Sequence, residues 1–352
     1  MRILLSLLVL SITLSIQAQK KKDKKEEPPK WDVANPGDDF NYKPHSFTTN
    51  EGTWMNLDVS PNGQTIAFDL LGDIYTMPIT GGKAKAIRTG IPFEIQPRFS
   101  PNGTKISFTS DAGGGDNIWV MNVDGSDAKQ ITKEDFRLLN NAIWTPDGNY
   151  LIARKHFTSR RSVGAGEMWQ YHITGGSGLQ LTKRKNDQQD VNEPFISADG
   201  KYLYYSEDIY PGGYFQYNKD PNKQIYAIQR YSFEDGKTET ITGGPGGAAR
   251  PTVSPDGKML AFVKRVRTKS VLYIHNLETG EEWPIYDSLN KDQQEAWAIF
   301  GVYPNFDWMP NNTELVFWSG GKILKININT LAITNIPFEA DVTIDLAETV
   351  HF

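Results

Sequence analysis

The sequence predicts an all-β protein, a six-bladed β-propeller with four strands in each blade. The first observation is a short turn motif, which is Ser-Pro-Asn-Gly, Ser-Pro-Asp-Gly or a close variant of these, that occurs six times at intervals of about 40 to 57 residues. The second is that short apolar and aromatic runs flank every copy, whereas no stretch has a sustained helical period. The six copies begin at Ser60, Ser100, Thr145, Ser197, Ser254 and Met309.

Each repeat contains the signals for four strands in the same order. In the motif, Pro fixes φ at the first central position of the turn, Asn or Asp bonds to its own backbone, and Gly supplies a positive φ. The motif therefore predicts a tight hairpin between the first and second strands. In the first repeat, the second strand follows at 65–68 and the third, after a loop, at 74–77. A Gly or Asn turn then leads into a short fourth strand, as at 129–132 in the second repeat.

The repeats divide the chain into a propeller domain of residues 31–352 and an N-terminal extension. The predicted blades lie near residues 51–90, 91–134, 135–184, 185–243, 244–288 and 289–339. Residues 1–18 resemble a secretory signal peptide, since Arg2 precedes an apolar stretch and Ala18 provides a small residue at the cleavage site. The apolar stretch of about 14 residues is short for a membrane span, and an uncleaved anchor is the alternative to a cleaved signal peptide. We therefore expect a secreted, periplasmic protein whose mature form begins near Gln19 with a charged linker, residues 19–30.

Composition excludes several classes of chemistry. The 352 residues include no Cys, so neither a disulfide, a thiolate metal site nor a Cys nucleophile is possible. The formal net charge of −5 argues against a nucleic-acid partner. The sequence also lacks the motifs of a nucleophile elbow, a P-loop, a zinc metalloprotease and a dinucleotide site.

Several longer strings resemble the TolB-like propeller found in secreted amidohydrolases. The strings occupy residues 51–61, 68–75, 154–159, 164–169, 217–220 and 293–298. In that family, the propeller resembles an N-terminal attachment that is followed by more β structure and by a metal-dependent amidohydrolase barrel. The resemblance thus implies zinc or a similar metal only in a parent hydrolase domain.

No catalytic residue, metal ligand or cofactor is predicted within this chain. An amidohydrolase centre needs a His-x-His pair with further ligands, and several His must converge on one point. The chain contains no such pair, and the sequence stops before any barrel. Its five histidines are scattered, at His45, His156, His172, His275 and His351.

Topology predicts that the two faces of the propeller differ. The motif turn and the turn between the third and fourth strands lie on one face, called here the turn face. The remaining connections lie on the opposite face, called here the loop face, and they include all the long insertions: 157–167, 185–191, 208–223 and 290–302.

The insertions contain Tyr, Trp and Arg, which are enriched in protein-binding hot spots. The candidates are Arg160, Arg161, Tyr210, Tyr214, Tyr217, Trp297 and Tyr303. A loop layer that packs only on itself is an equally weighted alternative.

A second set of candidates lies four residues before each motif. All six positions are polar, and we call them the inner ring: Asn56, Gln96, Asn141, Glu193, Arg250 and Asn305. Repetition at one offset predicts a ring of binding residues at the mouth of the central channel. The alternative is that strand starts are commonly polar.

These features predict a non-catalytic propeller that docks on, or gates access to, an amidohydrolase-type hydrolase domain. The alternative function is a stand-alone periplasmic module that binds a protein or peptide. A third hypothesis is a propeller enzyme that acts on sugars or peptides through carboxylates in its channel.

Overall fold

The computed structural model describes residues 32–36, 41–136, 138–158, 164–213, 216 and 218–348. The predicted signal peptide and the charged linker lie outside these residues. Within them, no helix has the length and the apolar character needed to cross a membrane.

The described residues fold into β-strands joined by turns and loops. In chain order the strands are β1 (Tyr42–Thr49), β2 (Leu57–Val59), β3 (Thr65–Leu70), β4 (Asp73–Pro78), β5 (Gly82–Lys83), β6 (Lys85–Arg88), β7 (Glu94–Phe99), β8 (Lys105–Ser110), β9 (Asn117–Asn122), β10 (Lys129–Gln130), β11 (Leu138–Trp144), β12 (Tyr150–Thr158), β13 (Gly164–His172), β14 (Leu179–Gln180), β15 (Val191–Ile196), β16 (Tyr202–Asp208), β17 (Tyr226–Ser232), β18 (Thr238–Thr242), β19 (Ala249–Val253), β20 (Met259–Val266), β21 (Lys269–Asn276), β22 (Glu282–Leu289), β23 (Asp307–Trp308), β24 (Glu314–Ser319), β25 (Lys322–Asn327), β26 (Ile333–Ile336) and β27 (Phe338–Ala347).

Six four-stranded antiparallel sheets form the blades, which confirms the prediction of a six-bladed all-β propeller. The sheets are β2-β3-β4-β6, β7-β8-β9-β10, β11-β12-β13-β14, β15-β16-β17-β18, β19-β20-β21-β22 and β23-β24-β25-β26. The first strand of each blade contacts the first strand of the next, and β23 contacts β2. These six strands therefore surround a common axis, and the other strands of each blade lie progressively further out.

The motif turns are closed by side chains as well as by backbone. In the first copy, Gly63 N donates to Ser60 O at 2.7 Å, and the φ of Gly63 is 70°. The Ser60 hydroxyl accepts a hydrogen bond from Thr65 N at 2.9 Å and donates one to Asn62 Oδ1 at 2.7 Å. The Ser hydroxyl and the Asn side chain thus fix the loop that joins the first two strands, as the turn chemistry requires.

A strand that lies outside the blades closes the ring. β27 leaves the last blade and crosses to the first, where it pairs in parallel with β5 and antiparallel with β1. The Phe338 ring lies 5.4 Å from the Phe68 ring of the first blade, and Ala340 and Val342 are fully buried. We call β27 the strap. The strap joins the first and last blades, which do not share a blade strand.

Candidate binding site in the central channel

The inner ring is brought together at the loop-face end of the channel. All six side chains lie near the starts of the innermost strands, and each is only 1–4% exposed. Several join neighbouring blades: Gln96 Oε1 accepts from Asn141 N at 2.8 Å, and Asn56 Oδ1 accepts from Asn305 N at 3.0 Å. The ring therefore acts as a buried polar belt between blades.

Arg250 connects the ring across the axis. Its Nη1 donates to Asn141 Oδ1 at 3.2 Å and also to Asn305 Oδ1, while its Nε donates to Tyr303 O at 2.7 Å. Its Nη2 lies 3.3 Å from Glu193 Oε1. Burial lowers the pKa of Arg250 to about 10, and the charge of Glu193 opposes this shift. The guanidinium therefore remains charged at neutral pH.

Four members of the ring sit at bulges in left-handed backbone conformation. Gln96, Asn141, Glu193 and Arg250 have φ values between 54° and 60°, and the pairing of each strand with its neighbour shifts there. A bulge bends the strand and re-aims a side chain. Holding such a residue with φ positive costs about 1–2 kcal/mol. The same costly geometry in four blades indicates that these side chains must point towards the axis.

The blade 5 to blade 6 connection closes this end of the channel. We call residues 298–303 the plug. Phe300 O accepts hydrogen bonds from Gln96 Nε2 at 2.8 Å and from Asn141 Nδ2 at 3.2 Å. Ile299 O accepts one from Asn140 Nδ2 at 3.0 Å. In this arrangement the inner ring binds backbone of the same chain, and its predicted role in binding a partner stays a prediction.

Glycine is required within the plug. Gly301 has a φ of 110°, and a Cβ at this position would lie 2.1 Å from Arg250 Nη2. Glu193 Oε1 also accepts hydrogen bonds from the backbone of Val302 and, at 3.3 Å, of Tyr303. The plug thus reaches the ring only because residue 301 has no side chain.

The turn-face end of the channel is open. A cavity of about 480 Å³ lies there, lined by residues from all six blades, and we call it the funnel. Its rim includes the motif prolines, whereas the fourth blade contributes Ala198 instead. Its inner wall is formed largely by residues two positions before each motif, here called the outer ring: Asp58, Arg98, Ile143, Phe195, Thr252 and Asp307. All of these except Thr252 line the funnel.

Two carboxyl groups and one guanidinium meet in the outer ring. Arg98 Nη1 donates to Asp58 Oδ1 at 2.8 Å, and Phe99 N donates to Asp58 Oδ2 at 2.7 Å. Val59 N donates to Asp307 Oδ2 at 3.1 Å. Burial, reinforced by the charge of Asp58, raises the pKa of Asp307 to about 8 despite the nearby Arg98. Burial also raises the pKa of Asp58, which hydrogen-bonds to Asp307. The pair therefore holds a proton at neutral pH.

The sequence analysis did not single out this outer ring. Its six positions include charged, apolar and neutral polar residues, so they lack the shared polarity by which the inner ring was predicted. The available signal was their shared position, two residues before each motif and two residues after the inner-ring position. Residues two apart on a strand lie on the same face of the sheet. Two aspartates at that offset in the first and last blades become neighbours only when the ring closes.

The loop-face candidates differ in their burial. Trp297 is half-buried with its ring 5.5 Å from that of His156, and Tyr210 is half-buried beside Lys219. Tyr303 is only 1% exposed, and its hydroxyl donates to Trp318 O at 3.1 Å. Its prediction as a surface binding residue is wrong, because the connection before it folds inward. The remaining candidates lie outside the described residues: Arg160, Arg161, Tyr214 and Tyr217.

Among the residues that the structure describes, no three His, Asp or Glu side chains are grouped so that they could hold a metal ion. The carboxylates of the outer ring are instead arranged around an arginine.

Comparisons with known proteins agree with this architecture. The family model of the TolB beta propeller domain matches residues 45–213. Tricorn protease homolog 1 of Streptomyces coelicolor is 34% identical over 91 residues, which make up 26% of this chain and 8% of that protein. The Tol-Pal system protein TolB of Helicobacter hepaticus is 26% identical over 176 residues, covering 46% of this chain and 40% of that protein. The chain thus spans less than half the length of both curated relatives.

A solved structure extends the likeness to most of the chain. The crystal structure of TolB from Acinetobacter baumannii superposes with a TM-score of 0.59 at 16% identity, covering 82% of this chain and 65% of that one. At this identity the likeness concerns the fold, which agrees with the six antiparallel sheets. The chain therefore folds as a TolB-like β-propeller.

Proposed function

We propose that this chain is a non-catalytic binding propeller that holds a segment of polypeptide in the funnel. The observation that carries the proposal is that the channel is sealed by the plug at one end and open at the other. A cavity of about 480 Å³ is within the range of sites that bind small molecules and short segments. Its lining combines apolar side chains with a few polar groups on the outer ring, as such sites require.

The walls of the funnel are rigid. Trp144 Nε1 donates to Arg98 O at 3.1 Å, and Trp308 Nε1 donates to Thr252 O at 2.9 Å, so both indoles tie neighbouring blades together. The rim is formed by turns that are fixed by Pro and by side-chain hydrogen bonds. A preformed site of this kind binds with little ordering cost.

The proposed partner is a hydrolase domain or another exported protein. The match to part of a much longer protein named as a tricorn protease homologue supports an association with a hydrolase. The resemblance to amidohydrolase-attached propellers points the same way. Because the plug seals the axis, docking of a partner at the funnel is favoured over passage of substrate through the channel. The match to TolB itself supports the alternative of a stand-alone protein-binding module.

The test is to fill the funnel. Ala198 is exposed at the rim, where the other five motif copies have Pro at the same position. Because Ala198 belongs to neither ring, Ala198→Trp adds bulk inside the funnel without replacing a ring residue. Peptides selected from a random heptapeptide library on purified protein lacking residues 1–18 should bind this variant at least tenfold more weakly, as measured by fluorescence anisotropy.

Ile333→Trp is the matched control, since Ile333 is 51% exposed on the outermost strand of the last blade. Its affinity should equal that of the parent. Unchanged binding to Ala198→Trp would contradict the proposal. Loss of binding on Trp297→Ala, with Ala198→Trp unaffected, would place the site on the loop face.

A further inference from the structure

We propose that the polypeptide segment bound in the funnel passes out of it between the fourth and fifth blades, and that it carries a lysine or arginine at that point. The inference rests on the proposed function and adds the path and the charge of the bound segment. It is carried by the contacts that the six motif turns make with one another around the rim.

Most motif turns close the rim by a contact between glycine and proline. The glycine of one motif lies against the proline of the motif in the preceding blade, with the sixth blade preceding the first. A Cβ placed on such a glycine would lie 3.0 to 4.0 Å from the proline in the pairs Gly63–Pro310, Gly103–Pro61, Gly148–Pro101 and Gly200–Pro146. Four of the six interfaces between blades are closed in this way.

A hydrogen bond closes the interface between the fifth and sixth blades. The sixth motif has Asn312 in the position of the glycine. Asn312 Oδ1 accepts a hydrogen bond from the backbone N of Asp256, which belongs to the motif of the fifth blade, at 2.9 Å. The turn therefore remains joined to its neighbour although the glycine is missing.

The interface between the fourth and fifth blades has neither contact. The motif of the fourth blade has Ala198 where the other five have proline, and no described atom lies within 4 Å of a Cβ placed on Gly257. All six motif turns belong to the described residues, and this is the one interface between them that is left open. We call this opening the gap.

A groove leads outward from the gap. Its cavity has a volume of about 520 Å³ and reaches Tyr202, on the second strand of the fourth blade, and Leu277, beyond the third strand of the fifth. The groove and the funnel share four lining residues: Ser197, Ala198, Val253 and Pro255. The two cavities are therefore continuous at the gap, and one extended segment can occupy both.

The lining of the groove suits polypeptide. Val253 and Leu277 provide apolar surface, and the half-buried Tyr202 lies beside Arg230, whose guanidinium is 4.6 Å from the centre of the tyrosine ring. Tyr and Arg are enriched among the residues that contribute most to protein binding. The charge of Arg230 is already paired, since its Nε donates to Glu239 Oε1 at 2.8 Å.

Two carboxylates give the groove an unbalanced negative charge. Asp256 and Glu278 line it and are exposed, and neither forms an ion pair with a lysine or arginine of the described residues. The third carboxylate of the lining, Asp199, lies 3.7 Å from Lys201 Nζ. Complementary charges across an interface fix the register of a bound partner and suppress wrong partners. A lysine or arginine of the bound segment would supply the charge that the groove lacks.

Ala198→Pro tests the path. Proline occupies this position in the other five motifs, so the variant keeps the turn and restores the missing contact with Gly257. Heptapeptides selected from the random library on the parent protein should bind the variant about tenfold more weakly, as measured by fluorescence anisotropy. Ile333→Trp is again the control and should bind as the parent does. Thermal melting checks that the variants are folded.

Photo-cross-linking tests the path without changing the protein. Benzoylphenylalanine is added to either end of a selected heptapeptide, and the cross-linked residues are identified by mass spectrometry. One end should label the groove, at 199–204 or at 255–278, and the label should disappear in Ala198→Pro.

The charge is tested by removing both unpaired carboxylates, in Asp256→Asn with Glu278→Gln. Asn occupies the position of Asp256 in the first two motifs, as Asn62 and Asn102, so the turn is kept. The probes are the selected heptapeptides and copies with norleucine in place of each lysine or arginine. The parent protein should bind the charged peptides about tenfold more tightly than the copies, and the double variant should lose most of this preference.

Asp147→Asn with Asp124→Asn is the matched control for charge. Asp147 has the motif position of Asp256 in the third blade, and Asp124 is an exposed carboxylate in the turn between the third and fourth strands of the second blade. Neither lines the funnel or the groove. This variant loses the same two negative charges and should keep the preference for the charged peptides.

Three results would overturn the inference. They are parent-like binding to Ala198→Pro, cross-links at another interface between blades, and equal affinity of the parent for the charged peptides and their norleucine copies. If Ala198→Trp abolishes binding and Ala198→Pro does not, the proposed function stands and this inference fails. If no library peptide responds to Ala198→Trp, the proposed function fails and this inference fails with it.

Discussion

At the scale of single residues, the channel depends on groups that tolerate little change. Arg250 is almost fully buried, yet it is bound by a carboxylate, two side-chain amides and one backbone carbonyl. A buried charge is stable only when it is paired and hydrogen-bonded. The plug supplies the carbonyl and needs glycine beside the guanidinium. Residue 301 and residue 250 therefore form one structural unit, although residue 250 lies on β19 and residue 301 lies in the connection between β22 and β23.

Gly301→Ala should lower the free energy of unfolding by about 2–4 kcal/mol, because the new Cβ would lie 2.1 Å from an Arg250 side chain that its partners hold in place. Urea denaturation measures the change. Gly244→Ala is the matched control: its φ is also positive, at 76°, but nothing lies within 4 Å of the added Cβ. That variant should lose only about 1 kcal/mol. Equal losses in the two variants would show that backbone strain alone acts at residue 301.

At the scale of elements, the strands inside the blades and those outside them differ in how they are held. Each blade strand has a neighbour close in sequence, whereas β27 is held by β1 and β5 from the opposite end of the chain. Its burial alternates along its first half, with Phe338, Ala340 and Val342 inward. This alternation is that of a strand with one buried face. The strap therefore depends on a few side chains pressed against the first blade.

Phe338→Ala should cost about 3–5 kcal/mol of stability, since it removes a buried ring that contacts Phe68. Hydrogen exchange should quicken at the amides of β1, β5 and β27 more than within the blades. Leu346→Ala, on the exposed end of the same strand, should cost less than about 0.5 kcal/mol. If the two substitutions had similar effects, the strap would not close the ring.

The sequence was informative about the fold and less so about the site, for physical reasons. A motif such as Ser60-Pro61-Asn62-Gly63 sets local backbone geometry, so six copies were enough to predict six hairpins and a propeller. The burial of Tyr303 and the shape of the plug depend on contacts with blades far away in sequence. The pairing of Asp58 with Asp307 depends on ring closure. Such contacts leave no local pattern, and they are the ones that build the funnel.

At the scale of the whole molecule, the predicted route of the chain through the cell can be tested. The apolar stretch that follows Arg2 should direct export, and N-terminal sequencing of protein from the periplasmic fraction should begin near Gln19. Charges in the apolar stretch, as in Leu7→Arg with Leu8→Arg, should leave the protein in the cytosol with Met1 intact. Lys21→Gln, in the charged linker, is the control and should be exported normally. Cytosolic protein with an intact N-terminus in the parent would refute the prediction.

The strap also determines the order in which the parts of the molecule can fold. Tyr42 pairs with Ala347, so these partners are about 300 residues apart along the chain. Each blade is built from neighbouring segments and can form early, but loop-closure entropy delays pairing between distant segments. During synthesis, which starts at the N-terminus, the blades form an open arc until the last residue of β27 has been added. Asp58 and Asp307 lie in the first and last blades, so the pair of carboxyl groups inside the funnel forms only when those two blades meet, late in folding.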